Sequence, residues 1–201
     1  MNRSAERWRI WIDRVGSFLL LRGDQISIGG PVEDDAADLS LMAPLSRRHA
    51  LLVSHGSRFA IRPRPGCLVK VNQQTIEAER DLASGTLLQL GERVELFFEQ
   101  PTAISATARL SFRSEDRPRR QTDAVILMRQ SCVLSAAADA HLVCPDWSER
   151  LILFERSGGL WCQSTGEWKR NGQLQQSPVL VQTGDQITGA DFRLWLEAEP
   201  R

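Results

Sequence analysis

The sequence predicts an all-β protein made of two similar units in tandem. Short β-favouring segments recur between glycine, proline, asparagine and aspartate residues. Apolar residues do not recur with helical spacing, and the two halves of the chain resemble each other. The length of 201 residues suits two domains of about 100 residues each.

The β-favouring segments of the first half are short, and several alternate apolar and polar residues. Such alternation is typical of strands with one buried face. Turn signals about every 8–12 residues favour a β-sandwich or a β-barrel. In chain order, the segments lie at residues 9–12, 17–21, 25–28, 50–54, 58–61, 67–71, 87–90 and 94–98. Residues 107–112 predict the first strand of the second half.

The two halves end in the same pattern. Residues 84–99 and residues 183–197 both run from a turn through an apolar strand and a glycine turn to an alternating strand. Asn72 and Asn171 stand at matching places before these segments. A duplication explains both matches, and we therefore expect domains at residues 6–100 and 101–199.

Composition and charge exclude several classes of partner. Lys and Arg together number 25, as do Asp and Glu, so the formal net charge is zero. Nucleic-acid-binding proteins usually carry a basic excess, so no nucleic-acid partner is expected. The apolar stretch at residues 18–21 is far shorter than the ~18 residues of a membrane span or the ~7–15 of a signal-peptide core. We expect a cytoplasmic protein that does not contact a membrane.

The most charged stretch, residues 113–120, follows the first predicted strand of the second half. The matching turn of the first half, residues 13–16, is short. The stretch is therefore interpreted as an expanded hairpin loop, solvated rather than bound to nucleic acid.

The cysteines do not predict a zinc site. His141 and Cys144 form one close pair, with Cys132 and Cys162 far from it in sequence. Zinc signatures pair their ligands closely at both ends. Free cysteines in a β-core explain the pattern, and we expect no metal and no cofactor.

The first half resembles the forkhead-associated (FHA) family in the order of its motifs. Gly29 follows a strand, residues 37–41 form an acidic and apolar segment, and residues 46–50 read Ser-Arg-Arg-His-Ala. Asn72 and the Leu-Gly pair at residues 90–91 complete the order. The resemblance implies two tandem FHA-like (SMAD/FHA-type) antiparallel β-sandwiches. It also implies that loops at one end of a sandwich bind a phosphothreonine peptide through fixed cations and hydrogen-bond donors.

The resemblance carries over only part of the phosphopeptide site. Gly30 stands where the family has a phosphate-binding arginine, whereas Ser46 matches the serine that hydrogen-bonds the phosphate. Arg47 matches the next residue, which helps to hold the peptide. Arg47, Arg48, Arg62 or Arg64 could replace the missing cation, since arginine binds phosphate from several directions.

Other positions of the motif imply structural roles or losses. His49 matches a histidine that fixes the loop internally, and Asn72 belongs to the structural motif. The family's Ser-Thr-Asn-Gly-Thr turn aligns with residues 65–69, so that Cys67 stands where its asparagine would be. Acidic residues at positions 33–35 would repel a phosphate.

The second half matches the family less well. Ser148-Glu149-Arg150-Leu151 replaces the Ser-Arg-x-His piece, and an acid stands where the cation belongs. We expect this copy to be a packing partner or a different interaction surface.

An enzyme is not expected. Ser46 and His49 could pair as nucleophile and base, but the FHA motif already accounts for both. No Gly-x-Ser-x-Gly elbow is present.

The expected function is modular protein–protein recognition. The first domain would bind a protein partner phosphorylated on threonine, in signalling by a Ser/Thr kinase. The alternative is a phosphate-independent scaffold or assembly subunit that uses degenerate FHA folds.

Overall fold

The computed structural model describes residues 5–32, 37–102 and 105–199. These residues form 22 strands and no helix, so the predicted all-β class is confirmed. None of them forms a helix that could cross a membrane. The first eleven strands are β1 (Glu6–Ile12), β2 (Gly16–Arg22), β3 (Gln25–Gly29), β4 (Leu39–Ser40), β5 (Ala50–His55), β6 (Arg58–Pro63), β7 (Val69–Val71), β8 (Gln74–Ile76), β9 (Arg80–Leu82), β10 (Thr86–Leu90) and β11 (Val94–Glu99). The others are β12 (Ala108–Phe112), β13 (Ala124–Met128), β14 (Ser131–Ser135), β15 (Leu142–Val143), β16 (Leu151–Arg156), β17 (Gly159–Ser164), β18 (Trp168–Arg170), β19 (Gln173–Gln175), β20 (Val179–Leu180), β21 (Asp185–Thr188) and β22 (Arg193–Ala198).

The strands form one long sheet and two short sheets. The long sheet has the order β19-β18-β21-β22-β1-β2-β13-β12-β11-β10-β7-β8. The short sheets have the orders β4-β3-β5-β6-β9 and β15-β14-β16-β17-β20. The two halves of this arrangement are equivalent: if β1 corresponds to β12, β2 to β13 and so on to β11 and β22, each half has the same strand order as the other. This equivalence is the structural counterpart of the sequence repeat.

Each short sheet encloses a separate apolar core against one half of the long sheet. The core of the first sandwich contains Phe59 and Phe98, whose rings pack edge to face with their centroids 5.8 Å apart. The core of the second contains Trp147 and Phe192, whose rings stack at 4.6 Å. The large apolar area of these aromatic residues makes them major contributors to each core.

The first hairpin of each repeat completes the sandwich of the other repeat. β11 pairs with β12, which places Leu110 opposite Phe98 in the first core. β22 pairs with β1, which places Ile10 opposite Leu196 in the second core. The boundary between residues 100 and 101 therefore divides the two sequence repeats, but strands from both sides of it pair in the long sheet. The domain limits 6–100 and 101–199 stay a prediction.

The two exchanged hairpins meet at the centre of the long sheet, where β2 and β13 pair in parallel. Their side chains alternate between the cores: Leu19 and Leu21 belong to the first, and Leu20 belongs to the second. Both faces of these strands are thus buried. A strand buried on both faces needs a continuous apolar run instead of an alternating one, which explains the stretch at residues 18–21.

The charged loop 113–120 joins β12 to β13 and is only partly solvated. Asp116 is buried and accepts a hydrogen bond from Arg93 at 2.7 Å. Arg120 forms ion pairs with Glu197 and Glu199 at 2.9 and 3.1 Å. The loop is an expanded hairpin connection, as predicted. Most of its residues are exposed or half-buried, and Asp116 and Arg120 anchor it to the two sandwiches.

Candidate functional site

Four connections meet at one end of the first sandwich, which we call its loop end (residues 29–32, 41–49, 64–68 and 91–93). Backbone hydrogen bonds hold them together. The Gly30 amide donates to Ser46 O at 3.0 Å, and the Gly91 amide donates to Leu68 O at 2.9 Å. The FHA-like motif residues therefore lie on neighbouring loops of a rigid sandwich.

The polar side chains of the motif are exposed at the loop end. Ser46, Arg47 and Arg48 all lie at the surface. The Cys67 thiol donates a hydrogen bond to Ser46 Oγ at 3.3 Å. The structure thus brings Ser46 and Cys67 together, on the connections β4–β5 and β6–β7 respectively.

His49 is buried and ties the two connections to each other. Its Nε2 lies 2.8 Å from Leu68 O and 3.2 Å from the Gly91 amide nitrogen. This contact corresponds to the internal role that the resemblance implies for His49. Nε2 is thus engaged with Leu68, whereas Nδ1 is buried and has no hydrogen-bond partner among the described residues.

Gly29 and Gly30 allow the β4–β5 connection to pack directly on the end of β3. A Cβ atom on Gly29 would lie 2.8 Å from Ser46 O and still closer to Arg47 O. A Cβ atom on Gly30 would lie 3.1 Å from Ala43 O and closer to the Leu45 carbonyl. Position 30 therefore has no room for the family's arginine unless the connection moves, and the Gly30 amide is already bound within the protein.

The proposed substitute cations differ in their surroundings. Arg62 donates to Glu79 Oε2 at 2.5 and 2.9 Å. Hydrogen bonds from His55 and Arg62 hold the pKa of Glu79 below its ordinary value. Arg62 is thus engaged with Glu79, whereas Arg64 is exposed and its carbonyl accepts from the Cys67 amide. The role of either arginine in ligand binding stays a prediction. The acidic residues 33–35 lie outside the described residues.

Asn72 stabilises the turn between β7 and β8. Its backbone has a φ of 48°, and its Oδ1 accepts a hydrogen bond from the Leu87 amide at 2.9 Å. Asn171 has a φ of 51° and accepts from the Gln186 amide at 2.9 Å. Asparagine tolerates this left-handed conformation, so the matching pair reflects the same turn in both repeats.

Apolar side chains surround the motif, and sequence analysis missed them. Val32, Met42 and Leu68 are 39%, 51% and 37% exposed. All three lie at the loop end. Single apolar residues in loops carry no distinct sequence signal, so only the fold reveals that these three belong to one end of the protein.

No protein-family model and no curated protein matches the chain. Solved structures that are similar to part of it include two FHA domains. The FHA domain of Rv0020c is 22% identical, with a TM-score of 0.31, over 43% of this chain and 85% of that domain. The FHA domain of an Arabidopsis thaliana hypothetical protein is 18% identical, with a TM-score of 0.32, over 46% of this chain and 81% of that one.

The corresponding end of the second sandwich presents a carboxylate. A Cβ atom on Gly166 would overlap the Glu149 carboxyl group, and Ser164 Oγ donates to Glu149 Oε2 at 3.4 Å. The Ser148 amide donates to Asp191 at 2.6 Å, and hydrogen bonds from Ser148 hold the pKa of Asp191 below its ordinary value. Two anionic groups at this end disfavour a phosphate ligand.

The cysteines of the second repeat lie in its core. Cys132, Cys144 and Cys162 are buried free thiols, and burial raises the pKa of Cys144 to about 12. His141 accepts from the Val133 amide at 2.9 Å, and its Nε2 lies 2.8 Å from Ser105 Oγ. No three potential metal ligands come together among the described residues. These residues pack the core and fix its loops.

Proposed function

We propose that this protein is a non-enzymatic recognition protein that binds a threonine-phosphorylated protein segment at the loop end of its first sandwich. The proposal rests on one observation: Ser46, Arg47 and Arg48 are exposed on a single loop. Contacts of His49 with Leu68 and of Gly30 with Ser46 hold the backbone of that loop in place. A phosphate carries between one and two negative charges and needs donors that are held still. A hydroxyl and guanidinium groups on a fixed loop meet that need.

The apolar side chains at the same end support a protein ligand over a free phosphate. Val32, Met42 and Leu68 are exposed on the connections of the same loop end. Interfaces with proteins combine apolar contacts with a polar rim, whereas a free phosphate would gain nothing from apolar neighbours. A cytoplasmic role in signalling by a Ser/Thr kinase follows from the same proposal.

The alternative function is a phosphate-independent scaffold, which the closed surroundings of Gly30 favour. Without an arginine at position 30, the loop end lacks the chief phosphate contact of the family. A partner would then be held by Met42, Leu68 and their neighbours alone.

Calorimetric titration of the full chain separates the two functions. We expect a degenerate phosphothreonine peptide pool to bind at least about tenfold more tightly than its unphosphorylated counterpart, a difference of about 1.4 kcal/mol. The double variant Ser46→Ala, Arg47→Ala should remove this difference. Arg58→Ala is the matched control, because Arg58 is exposed in the β5–β6 hairpin.

Two other outcomes of the titration would contradict phosphopeptide recognition. Equal binding of both pools, weakened by Met42→Asp, would indicate the scaffold. Failure of both pools to bind would reject phosphopeptide recognition by this surface.

A further inference from the structure

The hairpin exchange brings part of the second repeat to the loop end of the first sandwich. β12 pairs with β11 in the long sheet, so the turn after β12 reaches the end at which β11 begins. There the Met42 amide donates a hydrogen bond to Arg117 O at 2.9 Å. The loop 113–119 therefore lies beside the connection that carries Ser46.

An ion pair between a buried aspartate and an exposed arginine holds this loop against the first sandwich. Asp116, whose side chain is 6% exposed, accepts from Arg93 at 2.7 Å. Arg93 follows Gly91, where an added Cβ atom would lie 3.1 Å from the Leu45 side chain. The β4–β5 and β10–β11 connections and the loop 113–119 thus contact one another in turn. Together they form a continuous surface from both repeats.

The charged stretch adds positive charge to that surface. Residues 113–120 contain four arginines and two acidic residues. Arg117 is used within the loop, where its guanidinium donates to Ser114 O and lies 4.7 Å from the Phe112 ring centroid. Arg113 lies 4.7 Å from the Phe97 ring centroid, and Arg120 is paired with Glu197.

Arg119 is exposed, as are Arg113 and Arg120, but those two are engaged by the Phe97 ring and by Glu197. Arg119 forms no ion pair with any residue that the structure describes. Its Cα atom lies within about 7 Å of that of Arg117, because two residues of extended chain span no more. A guanidinium on a long side chain at this position can reach the surface around Met42.

We propose that the loop 113–119 forms one wall of the ligand-binding surface on the first sandwich and that Arg119 binds the phosphate group of the ligand. This inference rests on the proposed function. The second repeat then supplies the cation that position 30 cannot supply, since Gly30 has no room for a side chain. Arginine suits this task because its planar group binds phosphate through two hydrogen bonds.

The test compares Arg119→Ala with Arg58→Ala in the full chain, using the phosphothreonine pool and its unphosphorylated counterpart. Loss of a charge-assisted hydrogen bond should weaken phosphopeptide binding about tenfold in Arg119→Ala. Arg58→Ala should change it less than about twofold, since exposed ion pairs contribute little. Both substitutions are at the surface, and unchanged thermal midpoints would show that both variants remain folded.

The outcomes separate this inference from the function on which it rests. Phosphorylation-dependent binding that Arg119→Ala leaves intact would overturn the role of Arg119 and keep the proposed function. An equal loss for both pools would also overturn it, since the phosphate would not be the group contacted. Absence of binding by the unmodified chain would overturn both.

Discussion

Replacing Arg9 with methionine is expected to lower the free energy of unfolding by about 3–5 kcal/mol. Arg9 lies on β1 and is 1% exposed. Its guanidinium donates to Glu199 Oε1 at 2.5 Å and to Gln121 O at 2.6 Å. Methionine fills similar space but leaves the buried Glu199 carboxylate to Arg7 and Arg120 alone, and it removes the donor to Gln121 O. Urea unfolding monitored by circular dichroism measures the change.

Arg58→Met is the control for this substitution. The Arg58–Asp81 pair is exposed on both sides, at 71% and 63%. An exposed pair contributes at most about 1 kcal/mol. If Arg9→Met cost no more than Arg58→Met, the buried network would not stabilise the exchanged hairpin.

The Arg9 variant should also respond differently to acid. Burial raises the pKa of Glu199, but hydrogen bonds and charges from Arg9 and Arg7 outweigh it and place the pKa below the ordinary value of 4.5. A carboxyl group whose pKa is lower in the folded than in the unfolded protein stabilises the fold at pH values above its pKa in the unfolded chain. This stabilisation is lost as the pH falls through the pKa of the group in the folded protein. We expect the loss of stability below about pH 4.5 to be smaller in Arg9→Met, as measured by urea unfolding across pH.

Gly29→Ala is expected to abolish phosphopeptide binding and to destabilise the fold by about 1–3 kcal/mol. The new methyl group would overlap the carbonyl groups of Ser46 and Arg47. These are backbone atoms, so the whole β4–β5 connection must move. Calorimetric titration with the phosphothreonine pool measures the loss of binding, and urea unfolding measures the loss of stability.

Gly56→Ala serves as the comparison for Gly29→Ala. Gly56 has a φ of 67° and no atom within 4 Å of an added Cβ. Its substitution strains the β5–β6 turn by about 1–2 kcal/mol without touching the loop end. Unchanged binding in Gly29→Ala would show that the position of the β4–β5 connection does not matter for the ligand.

The individual strands could be predicted from sequence because their patterns are local. The segments 25–28 and 94–98 match β3 and β11 closely. The short strands β4, β8 and β9 were missed, since two or three residues carry no measurable periodicity. The structural role implied for His49 also rests on a local motif and stays a prediction; its Nε2 lies 2.8 Å from Leu68 O.

The hairpin exchange could not be predicted in the same way. The second strands of both hairpins, β2 and β13, are apolar on both faces, so their patterns do not show which sandwich each hairpin completes. The choice depends on the pairing of β11 with β12 and of β22 with β1 across the whole chain. The continuous apolar run at residues 18–21 was the available signal, because a strand with one exposed face would alternate.

The candidate site was predictable only where its neighbours are close in sequence. Ser46 and His49 belong to one motif, whereas the pairing of Arg62 with Glu79 joins residues 17 positions apart. The approach of Arg117 to Met42 joins the two repeats. Such contacts depend on the fold, so the composite surface could emerge only from the structure.

Cleavage of the chain between the repeats tests the hairpin exchange most directly. A protease site inserted between Thr102 and Ser105 would separate β1–β11 from β12–β22. Each fragment then carries a hairpin that completes the other's sandwich, so we expect the cleaved chain to elute with the intact chain in size-exclusion chromatography. The two fragments should dissociate only when the protein unfolds. Two folded fragments that elute separately would contradict the exchange and the ligand surface built on it.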